Sequence, residues 1–279
     1  MAITFDGRSV AATIKQQVKE QVAKMAIPPR LAIVVVGFNP ASEVYVRNKV
    51  KDCTEVGINC RVLSFPEHEG EVAFYRWLRE VASDSTIDGI IVQLPLPPLW
   101  SQNSFLHCIP PEKDVDNLTL YNVGYARVYP EACGGPCTPE GVIRLLDAYH
   151  LHPAYKTCTI IGRSNLVGMP LASMMTARGA TTTVCHTKTM DLAKHCREAD
   201  ILISAAGQRG LVTADMVKTG AIVIDVGINR DDEGKLCGDV CFDEVYKKAA
   251  FITPVPGGVG PMTRAVLLEQ VLYRAKENR

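Results

Sequence analysis

The sequence predicts an α/β protein of two lobes, the C-terminal one a Rossmann-like parallel sheet, with a C-terminal helix returning to the first lobe. Three observations predict it. Short apolar runs rich in β-branched residues alternate with helical patterns over nearly the whole chain, as a parallel sheet covered by helices requires. The length, 279 residues, exceeds the commonest single-domain size, so two cores are expected. A Gly/Pro-rich stretch, ACGGPCTP at 132–139, interrupts both kinds of regular structure near the middle.

In the first half, residues 31–37 (LAIVVVG), 60–65 and 87–93 read as strands, with helical patterns at 42–56 and 71–83. In the second half the strands are 157–161, 181–185, 201–205 and 221–226, separated by helices near 167–178, 191–198 and 213–218. The seam falls at 136–139, and a helix at about 140–150 bridges the lobes. The last pattern, 262–277, is amphipathic and crosses back to the first lobe. The expected domains are therefore 1–139 with 262–279, and 140–261.

Composition narrows the function. Thirty basic and thirty acidic residues cancel, so no basic stripe points to nucleic acid, and anionic ligands must be captured by local groups. The N-terminus has no secretory pattern, and no apolar run approaches the roughly 20 residues of a membrane helix, so a cytoplasmic protein without membrane contact is expected. The ten cysteines lack tight C-x-x-C pairs; the nearest are Cys133 with Cys137 and Cys237 with Cys241. They are read as reduced structural thiols, Cys158 and Cys196 among them, and no metal is expected.

The strand TCTII runs into Gly162-Arg163-Ser164-Asn165-Leu166-Val167-Gly168 and then a helix. Strand, glycine turn and helix start suit a pyrophosphate, because backbone N–H groups and the positive helix end face the anion. A plain strand-to-helix turn is the other reading, since the spacing departs from G-x-G-x-x-G. About twenty residues on, where an NAD enzyme tends to place a carboxylate for the ribose, the chain has Cys185-His186-Thr187-Lys188 and no acid before Asp191. With Arg163 able to fork onto a phosphate, NADP is favoured over NAD. Lys188 also fits a solvated loop.

In the first lobe, Tyr45 and Lys49 are four apart and share a helix face, whereas Glu43, Arg47, Lys51 and Glu55 form a solvated row. A half-buried lysine loses solvation, its pKa falls, and it can move protons. A surface ion pair between Lys49 and Asp52 is the alternative. Gln93 stands at the C-terminal edge of a predicted strand, where α/β ligands bind. Asp114 and Asp116 lie together in a loop, as turn formers or as binding groups.

Taken together, Tyr45-x-x-x-Lys49, DGIIVQLPLP, KDVD, PCTP, GRSxxVGxP, GAIVIDVGIN and FITPVPGGVGPMT closely resemble the bifunctional methylenetetrahydrofolate dehydrogenase/methenyltetrahydrofolate cyclohydrolase family, from about residue 5 to about residue 275. The resemblance implies an N-terminal catalytic, folate-binding domain and a C-terminal NADP-binding domain. It implies that 5,10-methylenetetrahydrofolate is oxidised with NADP to the methenyl compound and hydrolysed to 10-formyltetrahydrofolate, in one-carbon metabolism and purine biosynthesis. It makes Lys49 the catalytic lysine, supported by Tyr45 and Gln93. Asp116 becomes the pterin ligand, with Tyr45, Gly257 and Gly258 also at the substrate. Cofactor contacts fall to Gly162, Arg163, Ser164, Gly168, Thr187 and Ile228. A homodimer is implied too. One departure stands out: the residue after KDVD, usually Gly, is Asn117, which tolerates positive φ better than most. Two rivals remain: a dehydrogenase with little or no cyclohydrolase activity, and a regulatory protein on the same scaffold.

Overall fold

The computed structural model describes residues 1–38, 40–129 and 134–279; Cys133, half of one cysteine pair considered above, lies outside them. In chain order the first half runs Ile3–Thr4 (β1), Gly7–Val22 (α1), Arg30–Val36 (β2), Pro40–Val56 (α2), Asn59–Phe65 (β3), Glu71–Ser83 (α3), Gly89–Val92 (β4) and Leu120–Val128 (α4). The second half begins with Cys137–Ala148 (α5), Thr157–Ile161 (β5), Gly168–Ala177 (α6), Thr181–Cys185 (β6), Leu192–Arg197 (α7) and Ile201–Ser204 (β7). It continues with Ile222–Asp225 (β8), Asn229–Arg230 (β9), Leu236–Cys237 (β10), Phe242–Val245 (α8), Phe251–Ile252 (β11) and Val259–Glu277 (α9). The chain divides into two compact units: Thr13–Gly124 with Arg264–Arg279, and Met1–Ala12 with Tyr125–Thr263.

The first of these holds a parallel three-stranded sheet in the order β3–β2–β4. Central β2 is covered on both faces, which explains its unbroken apolar run, whereas edge strand β3 leaves much of its length exposed. Phe74 and Leu78 of α3 pack over Val34, Phe65, Ile90 and Val92 to form the core. From β2 the chain continues to β3 on one side and, later, to β4 on the other. The crevice at the C-terminal ends of such strands is where α/β sheets bind ligands. Here α2 and Gln93 occupy those ends.

The second unit holds a parallel sheet in the order β1–β11–β8–β7–β5–β6. β7 and β8 are wholly buried, and Thr-rich β6 is an edge. Ile161, Leu202, Val223 and Ile252 form one side of its core with Val212 and Val245. The chain passes from β5 outward to β6 and then back to β7 on the other side of β5. That reversal puts the crevice between the ends of β5 and β7.

The predicted helix at 213–218 is instead a single 3-10 turn, Ala214–Met216. Thr213 Oγ donates to Asp215 at 2.5 Å, and the chain turns at Thr219–Gly220, where Gly220 has φ +81°, before it enters β8, so no α-helical turn propagates. Burial pushes the Cys158 and Cys196 thiols up to about 12, consistent with packing rather than reactive roles. Among the described residues, no helix is long and apolar enough to cross a membrane.

Candidate active site

In the three-stranded unit, Tyr45 and Lys49 lie one turn apart on α2, Tyr45 exposed and Lys49 half-buried, while Glu43, Arg47, Lys51 and Glu55 face solvent. Lys49 Nζ donates to Gln93 Oε1 at 3.0 Å. Gln93 is itself fixed: its backbone N–H donates to Val34 O at 2.8 Å, and its Nε2 donates to Leu94 O at 2.7 Å. With its NH2 group anchored, the amide presents its oxygen to the lysine. Asp52, the alternative partner, is buried and engaged by Lys15 at 3.0 Å and by Arg264 at 3.3 Å.

The KDVD loop divides its labour. Lys113 Nζ donates to the carbonyls of Ala82 and Asp84 at 2.8 and 2.7 Å, closing the end of α3, and burial lowers its pKa. Asp114 is buried and accepts from Thr119 N–H at 2.7 Å and Asn122 Nδ2 at 2.9 Å, so this acid is a turn former. Asp116, two residues on, is only half-buried. Asn117 adopts φ +55°, is 1 % exposed, and accepts from Arg274 Nη2 at 2.6 Å.

In the six-stranded unit the turn after β5 depends on two glycines. Gly162 has φ +122°, and a Cβ there would sit 2.4 Å from Ala205 O. A Cβ on Gly168 would sit 2.1 Å from Gly162 O. Ser164 Oγ accepts from the N–H groups of Val167 and Gly168 at 3.1 and 3.4 Å. Its own hydroxyl hydrogen is then left to donate outward, and both Arg163 and Ser164 are exposed.

After β6 the chain makes a tight turn. His186 N–H donates to Thr189 Oγ at 2.9 Å and Lys188 N–H to His186 Nδ1 at 3.1 Å, placing Thr187 and Lys188 at an exposed tip. Asp191, the first carboxylate beyond the strand, accepts from Lys194 N–H and caps α7. Exposed cations and a hydroxyl, with the nearby acid occupied, suit a 2′-phosphate. The residues therefore fit NADP, and the backbone cradle at Gly162 and Gly168 is one that side chains would fill.

Ile228 is 52 % exposed just beyond β8. Gly257 has φ +118°, and Gly258 packs against the start of α1 so closely that a Cβ on Gly7 would lie 1.9 Å from Gly258 O. Gly7 was not apparent as a site neighbour from the sequence, because it is some 250 residues away along the chain.

Sequence reasoning also missed two buried acids, Asp225 at the end of β8 and Asp239 after β10. Asp225 accepts from Gly227 N–H at 2.9 Å, Asp239 N–H at 3.0 Å and Val240 N–H at 2.8 Å. Burial pushes it up to about 6, abetted by the Asp239 charge and opposed by those three N–H groups. The segment GAIVIDVGIN displayed Asp225, but an acid at a strand end gives no sign of which donors it will meet.

Comparison with known proteins fits this geometry. Residues 5–116 match the tetrahydrofolate dehydrogenase/cyclohydrolase catalytic domain, and residues 136–279 match the NAD(P)-binding domain of the same family. The chain is 47 % identical over 275 residues to the bifunctional protein FolD of Moorella thermoacetica, covering 98 % of each. It is similar to the crystal structure of bifunctional FolD from Campylobacter jejuni, with a TM-score of 0.96 and 45 % identity over all of both chains. The Trypanosoma brucei FolD structure, complexed with NADP cofactor and inhibitor, aligns with a TM-score of 0.93 at 37 % identity, covering 99 % of this chain and 98 % of that one.

Proposed function

Since the chain belongs to the tetrahydrofolate dehydrogenase/cyclohydrolase family, we propose that it oxidises 5,10-methylenetetrahydrofolate to the methenyl compound with NADP and then hydrolyses that product to 10-formyltetrahydrofolate. The observation that carries this reading is the 3.0 Å contact between Lys49 Nζ and Gln93 Oε1 at the ligand-binding end of the three-stranded sheet.

When bound, NADP supplies the hydride acceptor. The oxidation leaves a carbocation stabilised by two flanking nitrogens, so it needs no strong base. What the chain supplies is binding and orientation. Asp116 is suited to the pterin, because a carboxylate accepts two hydrogen bonds from an aminopyrimidinone edge. Gly257 and Gly258 let backbone approach the substrate. The backbone at Gly162 and Gly168, with Arg163 and Ser164, is suited to the cofactor's phosphates, Thr187 to its 2′-phosphate, and Ile228 to an apolar part of the cofactor.

Hydrolysis adds water to the methenyl carbon and opens the ring, which requires a proton to leave the water and another to reach the departing nitrogen. Lys49 is the group for this transfer, with Gln93 holding its Nζ and Tyr45 one turn away to relay or steady the proton. The 10-formyl product is a one-carbon donor for purine biosynthesis. A cytoplasmic homodimer completes the reading, and a sedimentation mass of a single chain at micromolar concentration would refute the dimer.

The test is an absorbance assay that follows reduced cofactor and methenyl product together, with NADP and NAD in parallel. Lys49→Gln is expected to abolish enzymatic consumption of the methenyl product while hydride transfer persists. If the methenyl product decays at its uncatalysed rate even in the unmodified protein, the chain is a dehydrogenase only.

A further inference from the structure

The hairpin of β9 and β10 has no role in the chemistry above, yet it delivers a fully buried carboxylate to the crevice end of the six-stranded sheet. Asp239 Oδ2 accepts from Ser204 Oγ at 2.8 Å, Ala206 N–H at 2.8 Å and Gly207 N–H at 3.2 Å. Its Oδ1 accepts from Gln208 N–H at 2.8 Å and Asn229 Nδ2 at 2.9 Å. These donors come from two segments, the last residue of β7 with the loop that leaves it, and the residue that follows Ile228 after β8. Both segments emerge at the C-terminal ends of parallel strands, next to the turn after β5, and Ala205 O lies against Gly162 itself.

The node is built to close tolerance. A Cβ on Gly227 would lie 2.1 Å from Asp239 Oδ1, and one on Gly238 would lie 1.9 Å from Asp225 Oδ2. Asp225 in turn holds the backbone N–H groups of Asp239 and Val240. Val212 N–H donates to Asp239 O at 3.1 Å, and Cys241 N–H to Val212 O at 2.9 Å, so the backbone on either side of the carboxylate is pinned as well. Five donors on one desolvated carboxylate make a strong and directional latch.

We infer that Asp239 is a positioning residue for the NADP site, a single latch that sets the loop 205–208 and the segment 227–229 as two walls of that site. The inference rests on the cofactor site assigned above. A carboxylate is suited because both of its oxygens face backbone N–H groups, which can only donate: Ala206 and Gly207 at Oδ2, Gln208 at Oδ1. In an amide of the same shape, the NH2 group would point at a backbone N–H whichever way it turned. Releasing the latch would let both walls shift and leave donors unpaired, which weakens cofactor binding while the three-stranded unit, with Lys49 and Asp116, is untouched.

The experiment is Asp239→Asn, assayed separately as dehydrogenase and as cyclohydrolase on supplied methenyltetrahydrofolate, with NADPH binding followed by fluorescence and Arg163→Ala run alongside. The KM for NADP is expected to rise about tenfold or more, as loss of a buried charge-assisted contact implies. The KM for the folate and the cyclohydrolase rate should stay near those of the unmodified protein. Equal loss of both activities would mean a merely structural role and would overturn the inference. So would an unchanged NADP KM where Arg163→Ala raises it. If neither variant changes NADP binding, the cofactor site itself is misassigned. Should Asp239→Asn fail to fold, Asn229→Ala removes one donor from the same latch. A smaller rise in NADP KM is expected there, and no rise would overturn the inference.

Discussion

Asn117 has to satisfy a left-handed backbone and a buried side chain together. At φ +55° an asparagine costs less than most residues, and its amide oxygen takes the guanidinium of Arg274 at 2.6 Å, both side chains being almost wholly buried. Glycine would relieve the backbone but strip an acceptor from a buried charge, a loss of about 1–3 kcal/mol against a backbone gain of at most about 1 kcal/mol. Asn117→Gly is therefore expected to lower the melting temperature by a few degrees, measured by calorimetry. A melting temperature that rises would show that the Arg274 contact contributes nothing. Because Asp116 is the adjacent residue, the same variant should raise the KM for the folate and leave that for NADP alone. The left-handed turn was legible from the sequence, since Asn replaces Gly where the KDVD pattern ends. Its partner was not, because no local pattern connects positions 157 residues apart.

Among the elements, those defined by a long apolar period were legible and the shortest were not. α3, β5 and β6 fall at the limits that periodicity predicts, because each carries its own pattern of burial. β1 and β11 are two residues each and exist only by pairing with one another and with β8, so nothing local announces them. The turn between β5 and α6 shows how an element and a site can share residues. Ser164 accepts two N–H groups at the start of the helix, much as an N-cap does, and keeps its hydrogen for an outside acceptor. Ser164→Ala should cost about 1 kcal/mol of stability and also raise the KM for NADP, whereas Ser164→Thr, which keeps the hydroxyl, should do neither. An alanine variant that loses stability with no change in NADP KM would reduce Ser164 to a helix cap. The sequence showed Gly162, Ser164 and Gly168 but not which contacts enforce them; the spacing departs from the usual fingerprint because the helix begins only at Gly168.

For the whole molecule, the balance of charge in the sequence conceals an uneven distribution of titration. Asp200 is held down to about 2 by the Lys218 hydrogen bond and by Thr157, so its contribution is present at ordinary pH and lost only as pH falls through about 2. Asp225 behaves in the opposite sense. Its ordinary value of 3.8 is raised to about 6 in the fold, so the folded protein holds this proton more tightly than the unfolded chain does. The stabilisation linked to it is complete below about pH 4 and is lost as pH rises through about 6. Asp225→Asn removes that titration while leaving every histidine in place. The melting temperature of the unmodified protein minus that of the variant is therefore expected to be larger at pH 5 than at pH 7.5, because the histidine contributions cancel in the difference. The backbone N–H groups on Asp225 pull the other way, favouring the ionised form, and they decide how steep the change is. A difference that is flat across this interval would mean that they outweigh burial and the Asp239 charge, and that Asp225 is ionised across the whole interval.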